Sequence, residues 1–271
     1  MAQEKVRVAN IQQLKTQGRK IVAVTAYDYP TARLADESGV DIVHVGDSLA
    51  NILGFSDEIP VTLDMMVHHA SAARRGTARA LLMADMPFMT FKISPEKTLE
   101  NAARLVQQAG VEAVKMEGGR EVAPHIGKTA AAGIPVMGHV GLAPQSVHAQ
   151  SGYRVQGREE AEIRRLIEDA RAIEDAGAFA IVLELLGVDA ARRVTEALRI
   201  PTIGIGSGPH CDGQIMVMVE VLGLSFRDKP RFAKRYAQGG DIFREAIGRY
   251  AEEVRSGAYP DEAHSYLARK Q

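Results

Sequence analysis

The sequence predicts a single (β/α)8 barrel, and three observations carry that expectation. The chain has 271 residues, near the roughly 250 typical of such barrels. Eight short runs rich in β-branched and apolar residues recur along it, separated by longer segments with helical spacing. Four of those segments end alike, on a glycine followed at once by an apolar run: ESGVDIV, QAGVEAV, AAGIPVM and DAGAFAI. Glycine takes the left-handed conformation that stops a helix, so the chain passes directly into the next strand. Alternation of this kind implies a parallel sheet with right-handed crossovers. Eight units favour a closed barrel, while spacing alone leaves an open doubly wound sheet as the alternative.

The expected strands, in order, are Ile21–Ala26, Asp41–Gly46, Ala80–Asp85, Val111–Glu117, Ile134–His139, Phe179–Glu184, Ile200–Gly206 and Val221–Ser225. Between them, Pro95–Ala109 reads as a helix because Ser94 can cap it and proline suits its first position. Arg158–Ala176 is rich in helix formers and stops at Gly177. The charged stretch after Asp241 reads as further helix. No Pro/Gly/Ser-rich linker or shift in composition divides the chain, so the expected unit is one catalytic domain over 1–271 with short helical extensions at both ends.

Composition excludes several classes. Hydrophobic residues make up 46% and charged residues 25%, the balance of a globular protein with a large core. The formal charge of −1, with bases scattered among acids, argues against a nucleic-acid binder. Cys211 is the only cysteine, which rules out an internal disulfide and fits a reducing compartment. The opening MAQEKVRVANIQQL lacks the apolar core of a secretory signal. Apolar runs such as Ala178–Leu183 fall far short of the roughly 18 residues of a membrane span. A cytoplasmic enzyme with no membrane partner is the expectation.

In a parallel barrel, catalytic groups project from the carboxyl ends of the strands. Here those ends are polar. The second strand runs into Gly46-Asp47-Ser48, the third ends in Asp85, the fifth in His139 and the sixth in Glu184. The fourth carries Lys115 and Glu117, whose spacing of two puts them on one face. Tyr27 and Asp28 follow the first strand. One aspartate after a strand most often caps the next helix, and one such histidine is most often a hydrogen-bonded core residue. Convergence changes the balance: independent strands bring Asp47, Asp85, Glu117, Glu184, Lys115 and His139 to one rim. Burying that many charges without use would cost several kcal/mol each. Asp47, Asp85 and Glu117 offer hard oxygens, with no cysteine pair and no HExxH, a set that suits Mg²⁺. Zinc is the poorer match, and Mn²⁺ or Co²⁺ can take the place of Mg²⁺. The turn Gly204–Gly208 reads as a weak phosphate signal or, equally, as a tight turn at a ligand, and His210-Cys211-Asp212 reads as loop.

The segments TAYDY (25–29), VGDSL (45–49), PVTLDMM (60–66), ADMPFM (84–89), VKMEGG (114–119), GHVGLAPQS (138–146), GYRVQGR (152–158) and IPTIGIGSG (200–208) closely resemble the ketopantoate hydroxymethyltransferase family. The resemblance runs from about residue 10 to Pro260 in the family's order. It implies a (β/α)8 barrel and a Mg²⁺-dependent transfer of a one-carbon unit from 5,10-methylenetetrahydrofolate to 3-methyl-2-oxobutanoate, giving 2-dehydropantoate. It also implies Asp47 and Asp85 as direct metal ligands, with Glu117 acting through water. Asp47, Ser48, Asp85 and Lys115 become substrate contacts, Glu184 the catalytic base and His139 a polar neighbour of the substrate. A large homo-oligomer follows, with a homodecamer as the assembly suggested. The sequence departs from the family at Ser207, where alanine is common, and at Ala50-Asn51, where glycine is usual. Two alternatives stay open: a Mg²⁺-dependent barrel of the isocitrate lyase and phosphoenolpyruvate mutase type, and a catalytically silent barrel that binds a 2-oxo acid or scaffolds an assembly.

Overall fold

A computed structural model describes residues 4–149 and 152–266. The outermost ends of the expected 1–271 domain therefore lie outside the described residues. Contacts divide the chain into two compact units, Met1–Met218 and Val219–Gln271.

The first unit is a closed parallel barrel in chain order: β1 (Ile21–Thr25), β2 (Ile42–Val45), β3 (Leu81–Asp85), β4 (Ala113–Glu117), β5 (Val136–Gly141), β6 (Ala180–Glu184), β7 (Thr202–Ile205) and β8 (Gly213–Met216). β8 closes the ring on β1, with Ile21 level with Gly213. Helix α1 (Val8–Thr16) precedes the barrel, and α2 (Tyr29–Glu37), α3 (Ala50–Leu53), α4 (Leu63–Gly76), α5 (Pro95–Ala109), α6 (Ala123–Ala131), α7 (Glu160–Asp175) and α8 (Val188–Ala197) lie between its strands. The helix expected at Pro95–Ala109 is α5, with Ser94 Oγ accepting from the Lys97 amide at 3.1 Å. The four stop glycines, Gly39, Gly110, Gly133 and Gly177, all have positive φ, from 70° to 98°.

Seven expected strands agree with the structure to within about two residues. The eighth does not. Val221 and Leu222 belong to helix α9 (Met218–Leu222), and a turn follows at Gly223. A run of Val, Leu and Leu looks like a strand by composition, whereas the true β8, Gly-Gln-Ile-Met, does not. Its glycine is required by closure: a Cβ on Gly213 would lie 2.5 Å from the Ile21 carbonyl oxygen.

The barrel interior is layered. Ile21, Ala23, Ile42, Leu81, Met83, Ala113, Met137, Ala180, Val182, Ile203 and Ile215 share one apolar cluster with Ile11 and Leu14 of α1. Side chains two apart on a strand face the same way. The next inward position after Ala23 is Thr25, after Ile42 His44, after Met83 Asp85 and after Met137 His139. Ala113 is followed on its face by Lys115 and Glu117, and Val182 by Glu184. The same alternation that builds the core therefore builds a polar layer directly above it.

The second unit carries α10 (Gly239–Ser256), on which Ile242, Phe243, Ile247, Tyr250 and Val254 are all exposed. Among the described residues no helix is long and apolar enough to cross a membrane.

Candidate active site at the upper layer of the barrel

Asp85 is the hub of that polar layer. Its Oδ1 accepts from His44 Nε2 and from Lys115 Nζ, both at 2.9 Å. Its Oδ2 accepts from the Asp47 backbone amide at 2.9 Å. The strand register sets these contacts, since β3 and β4 pair with Asp85 level with Lys115. Lys115 Nζ also donates to His139 Nδ1 at 3.2 Å. His139 Nε2 lies 3.2 Å from Glu184 Oε2, off the line of a hydrogen bond. Contacts thus run from β2 to β6 as His44, Asp85, Lys115, His139 and Glu184.

Lysine can only donate, so His139 Nδ1 must be the acceptor, and a neutral ring then carries its proton on Nε2, facing Glu184. Burial first, then the charge of Lys115, pushes the His139 pKa down, with Glu184 opposing, which keeps the ring neutral. His139 is consequently a poor candidate for a base: one nitrogen is engaged and the other protonated.

The acids divide by what surrounds them. Burial alone would raise Asp85, but the charges and hydrogen bonds of His44 and Lys115 outweigh it and hold this carboxyl well below the usual range. Lys115 moves the other way: burial opposes its charge, and Asp85, Asp47 and Glu117 more than restore it. Among the described residues Asp47 has no cation in direct contact. Gln145 Nε2 donates to its Oδ2 at 2.7 Å and to the Met86 carbonyl at 3.0 Å. Burial, with the negative charge of Asp85, raises its pKa well above normal. Glu117 is 1% exposed, and burial pushes it up to about 8 against the pull of Lys115 and Lys92.

The donor set bears on the metal. Among the described residues no three His, Cys, Asp or Glu side chains stand together as a ready-made metal cluster. The chemistry of the set nonetheless fits a hard divalent cation. Asp47 and Glu117 are buried acids short of positive charge, and Glu117 Oε1 has no hydrogen-bond partner. Mg²⁺ needs only one or two carboxylates, with water and ligand oxygens completing its shell. Of the roughly four acceptor positions on a carboxylate, Asp85 already uses three, on His44, Lys115 and the Asp47 amide. Asp47 and Glu117 have more to offer.

All the residues expected at the site lie in or beside this layer. Ser48 stands at its edge, its Oγ 2.8 Å from the Tyr27 hydroxyl. Asp28, the other polar residue after β1, is a helix cap, accepting from the Thr31 amide at 2.8 Å. The glycine-rich turn is bound to the scaffold: the buried Ser207 hydroxyl donates to the Leu183 carbonyl at 2.7 Å and accepts from the Leu186 amide at 3.0 Å. His210, Cys211 and Asp212 lie in the loop before β8, as expected. His44, Gln145 and Tyr27 were not among the expected site residues. For His44 a signal existed, the two-residue alternation from Ile42, whereas Gln145 comes from the loop after β5, beyond the reach of any strand pattern. Beside His139 a cavity of about 290 Å³ opens, with Lys92, Arg154 and Arg165 among its walls.

A model of the ketopantoate hydroxymethyltransferase family matches residues 5–262. The chain belongs to that family. Among its relatives, the 3-methyl-2-oxobutanoate hydroxymethyltransferase of Chloroflexus aurantiacus is 50% identical over 262 residues, 96% of this chain and 92% of the relative. The enzyme of that name from Carboxydothermus hydrogenoformans is 47% identical over 264 residues, 97% of this chain and 96% of the relative. Membership of the family makes the chain an enzyme. Among solved structures, that of phosphonopyruvate hydrolase in complex with oxalate and Mg²⁺ superposes with a TM-score of 0.60 at 16% identity, covering 95% of this chain and 92% of that one. For 2,3-dimethylmalate lyase, a PEP mutase/isocitrate lyase superfamily member, the TM-score is 0.58 at 18% identity, covering 96% of this chain and 91% of that one. At such identities the likeness concerns the fold.

Proposed function

We propose that the chain, acting as one catalytic unit, transfers a hydroxymethyl unit from 5,10-methylenetetrahydrofolate to 3-methyl-2-oxobutanoate, giving 2-dehydropantoate for pantothenate synthesis. The relatives that carry this activity in their names support the reading, as does one observation of the site. A lysine and an acid from different strands both lie against one neutral histidine, so donor and base stand in the same layer.

The metal of the reaction would be Mg²⁺: Asp47, and Asp85 through the acceptor position still open to it, would hold it directly and Glu117 through water, with Mn²⁺ or Co²⁺ able to replace it. When bound it supplies Lewis acidity that makes the C3 proton of a 2-oxo acid easier to remove. Lys115, fixed by Asp85, places its positive charge toward the carboxylate and keto oxygens of the acid and favours the charge that develops there. Ser48 donates to the same oxygens. Glu184, whose side chain is 19% exposed, takes the proton from C3. The His139 ring, with Nε2 3.2 Å from the Glu184 carboxylate, lies beside it as a polar neighbour. The carbanion then forms the new C–C bond to the methylene carbon as one of its two C–N bonds to the folate breaks, and water supplies the hydroxyl oxygen as the second C–N bond breaks; the proton taken from C3 and one from water pass to the two freed nitrogens, and tetrahydrofolate leaves.

The cavity beside His139 is where the folate would reach this carbon. The exposed apolar face of α10 supports a homo-oligomer, for which a decamer is the proposed size. Small molecules are the only other partners proposed, in the cytoplasm. A coupled assay of 3-methyl-2-oxobutanoate with methylenetetrahydrofolate tests the whole reading. Activity should vanish with chelator and return with Mg²⁺, and full turnover in metal-free protein would refute the metal.

A further inference from the structure

Two hydroxyls meet at the edge of the site. Tyr27 is 2% exposed, and its hydroxyl lies 2.8 Å from Ser48 Oγ. A phenol O–H buried this deeply has to be placed on an acceptor, and among the described residues Ser48 Oγ is the one at hydrogen-bonding distance. With Tyr27 as the donor, Ser48 keeps its own proton for whatever lies in the site.

Space for that hydroxyl is made by Gly46. A Cβ there would stand 2.7 Å from Ser48 Oγ and 3.4 Å from Asp85 Oδ2. Ser48 Oγ thus occupies the corner of the site beside the Asp85 carboxylate. The polar end of a 2-oxo acid consists of acceptors alone, the carboxylate and the keto oxygen. A serine presenting lone pairs there would repel it, and one presenting its proton would bind it.

We propose that Tyr27 is a positioning residue that fixes the Ser48 hydroxyl as a donor toward the anionic end of the substrate. This rests on the reading of the substrate as a 2-oxo acid. Tyr27 touches neither substrate nor metal and acts only through Ser48.

A double-mutant cycle on the holoenzyme tests it, with dissociation constants for 3-methyl-2-oxobutanoate measured by calorimetry in Mg²⁺. Tyr27→Phe keeps the ring and removes the hydroxyl, and it should weaken binding ~10-fold, the effect of one hydrogen bond to a charged group. The rate of C3 hydrogen exchange at saturating acid should stay near that of the parent. Ser48→Ala should weaken binding to a similar extent, and adding Tyr27→Phe to it should cost almost nothing more. A tyrosine that merely packs would give additive losses instead. Tyr27→Met, which fills the same buried space without a hydroxyl, gives a second route if Tyr27→Phe does not fold: a similar weakening that disappears in the Ser48→Ala background. Parent-like affinity in Tyr27→Phe, or a loss that persists undiminished beside Ser48→Ala, overturns the proposal. Oxalate separates this result from the substrate assignment. If the parent binds oxalate but not 3-methyl-2-oxobutanoate, the substrate reading falls and the cycle is read with oxalate; if it binds neither, both fall.

Discussion

Replacing Lys115 by methionine removes the one cation among the described residues that touches both Asp85 and His139, while keeping most of the side-chain volume. The ion pair to Asp85 is 2.9 Å long between side chains 7% and 3% exposed. Breaking a buried pair by deleting one partner costs ~3–5 kcal/mol, because the remaining charge is left without compensation. Here the lower end applies, since His44 stays on Asp85 at 2.9 Å. With an unfolding slope of ~3 kcal/mol per molar urea, a loss of ~3 kcal/mol moves the midpoint down by ~1 M. Deletion of the positive charge also leaves Asp47 and Glu117 with less opposing charge, so Mg²⁺ should raise the midpoint of the variant more than that of the parent. Urea unfolding followed by circular dichroism, with EDTA and with Mg²⁺, reads both effects. An unchanged midpoint in EDTA would refute the account of Lys115 as the counter-charge of the layer. A midpoint that falls but gains nothing extra from Mg²⁺ would refute the placement of the cation beside it.

Glu184→Gln should bind the 2-oxo acid and metal like the parent, yet lose exchange of the C3 hydrogen with D₂O by at least ~100-fold, the usual worth of a general base; proton NMR without folate measures this step, and parent-like exchange would move the role elsewhere. Glu117→Gln should stabilise the metal-free protein, increasingly so with pH. A folded-state pKa of about 8 against an ordinary 4.5 means the native carboxyl holds its proton longer than the unfolded one, so parent stability falls between those values and the advantage of the amide levels off above them. Denaturation midpoints of the two proteins at pH 5, 7 and 9 check this, and a pH-independent difference would contradict it. Asp36, whose carboxylate accepts from the Ala78, Arg79 and Ala80 amides at 2.6–3.0 Å, ties α2 to the start of β3. Asp36→Ala strands those amides and should destabilise by ~3 kcal/mol or more, at ~1–3 kcal/mol for each unsatisfied group, which urea unfolding would show.

The barrel was legible because its grammar is local. A stop glycine needs only its own φ, and Ser94 caps α5 through an amide three residues on. Closure is not local. Gly213 is demanded by the carbonyl of Ile21, almost the whole barrel away in sequence, so the strand it opens has no signature of its own. For the site, residues at strand ends stood out as charges where apolar residues were due. His44 lies within its strand, and histidine there reads as core until the Asp85 contact is seen. Gln145 depends on how the loop after β5 folds back over Asp47, which tertiary packing decides.

The chemistry of the acids belongs to neither the sequence nor the strand pattern. Asp47 and Asp85 are the same residue type, both buried, and linked by a hydrogen bond from the backbone of one to the side chain of the other. Yet their proton affinities are driven in opposite directions. The difference comes from two neighbours brought by adjacent strands, His44 from β2 and Lys115 from β4, both directed at Asp85. Asp85 is thereby a fixed negative anchor whose acceptor positions are mostly filled. Asp47 and Glu117, denied that compensation, are acids waiting for positive charge. An arrangement that neutralised all three acids within the protein would be more stable without metal and less able to take one up. On the proposed reading, leaving two of them short is what would give the layer an affinity for a divalent cation, and the lysine beside the anchor would then meet the anionic substrate from the protein side.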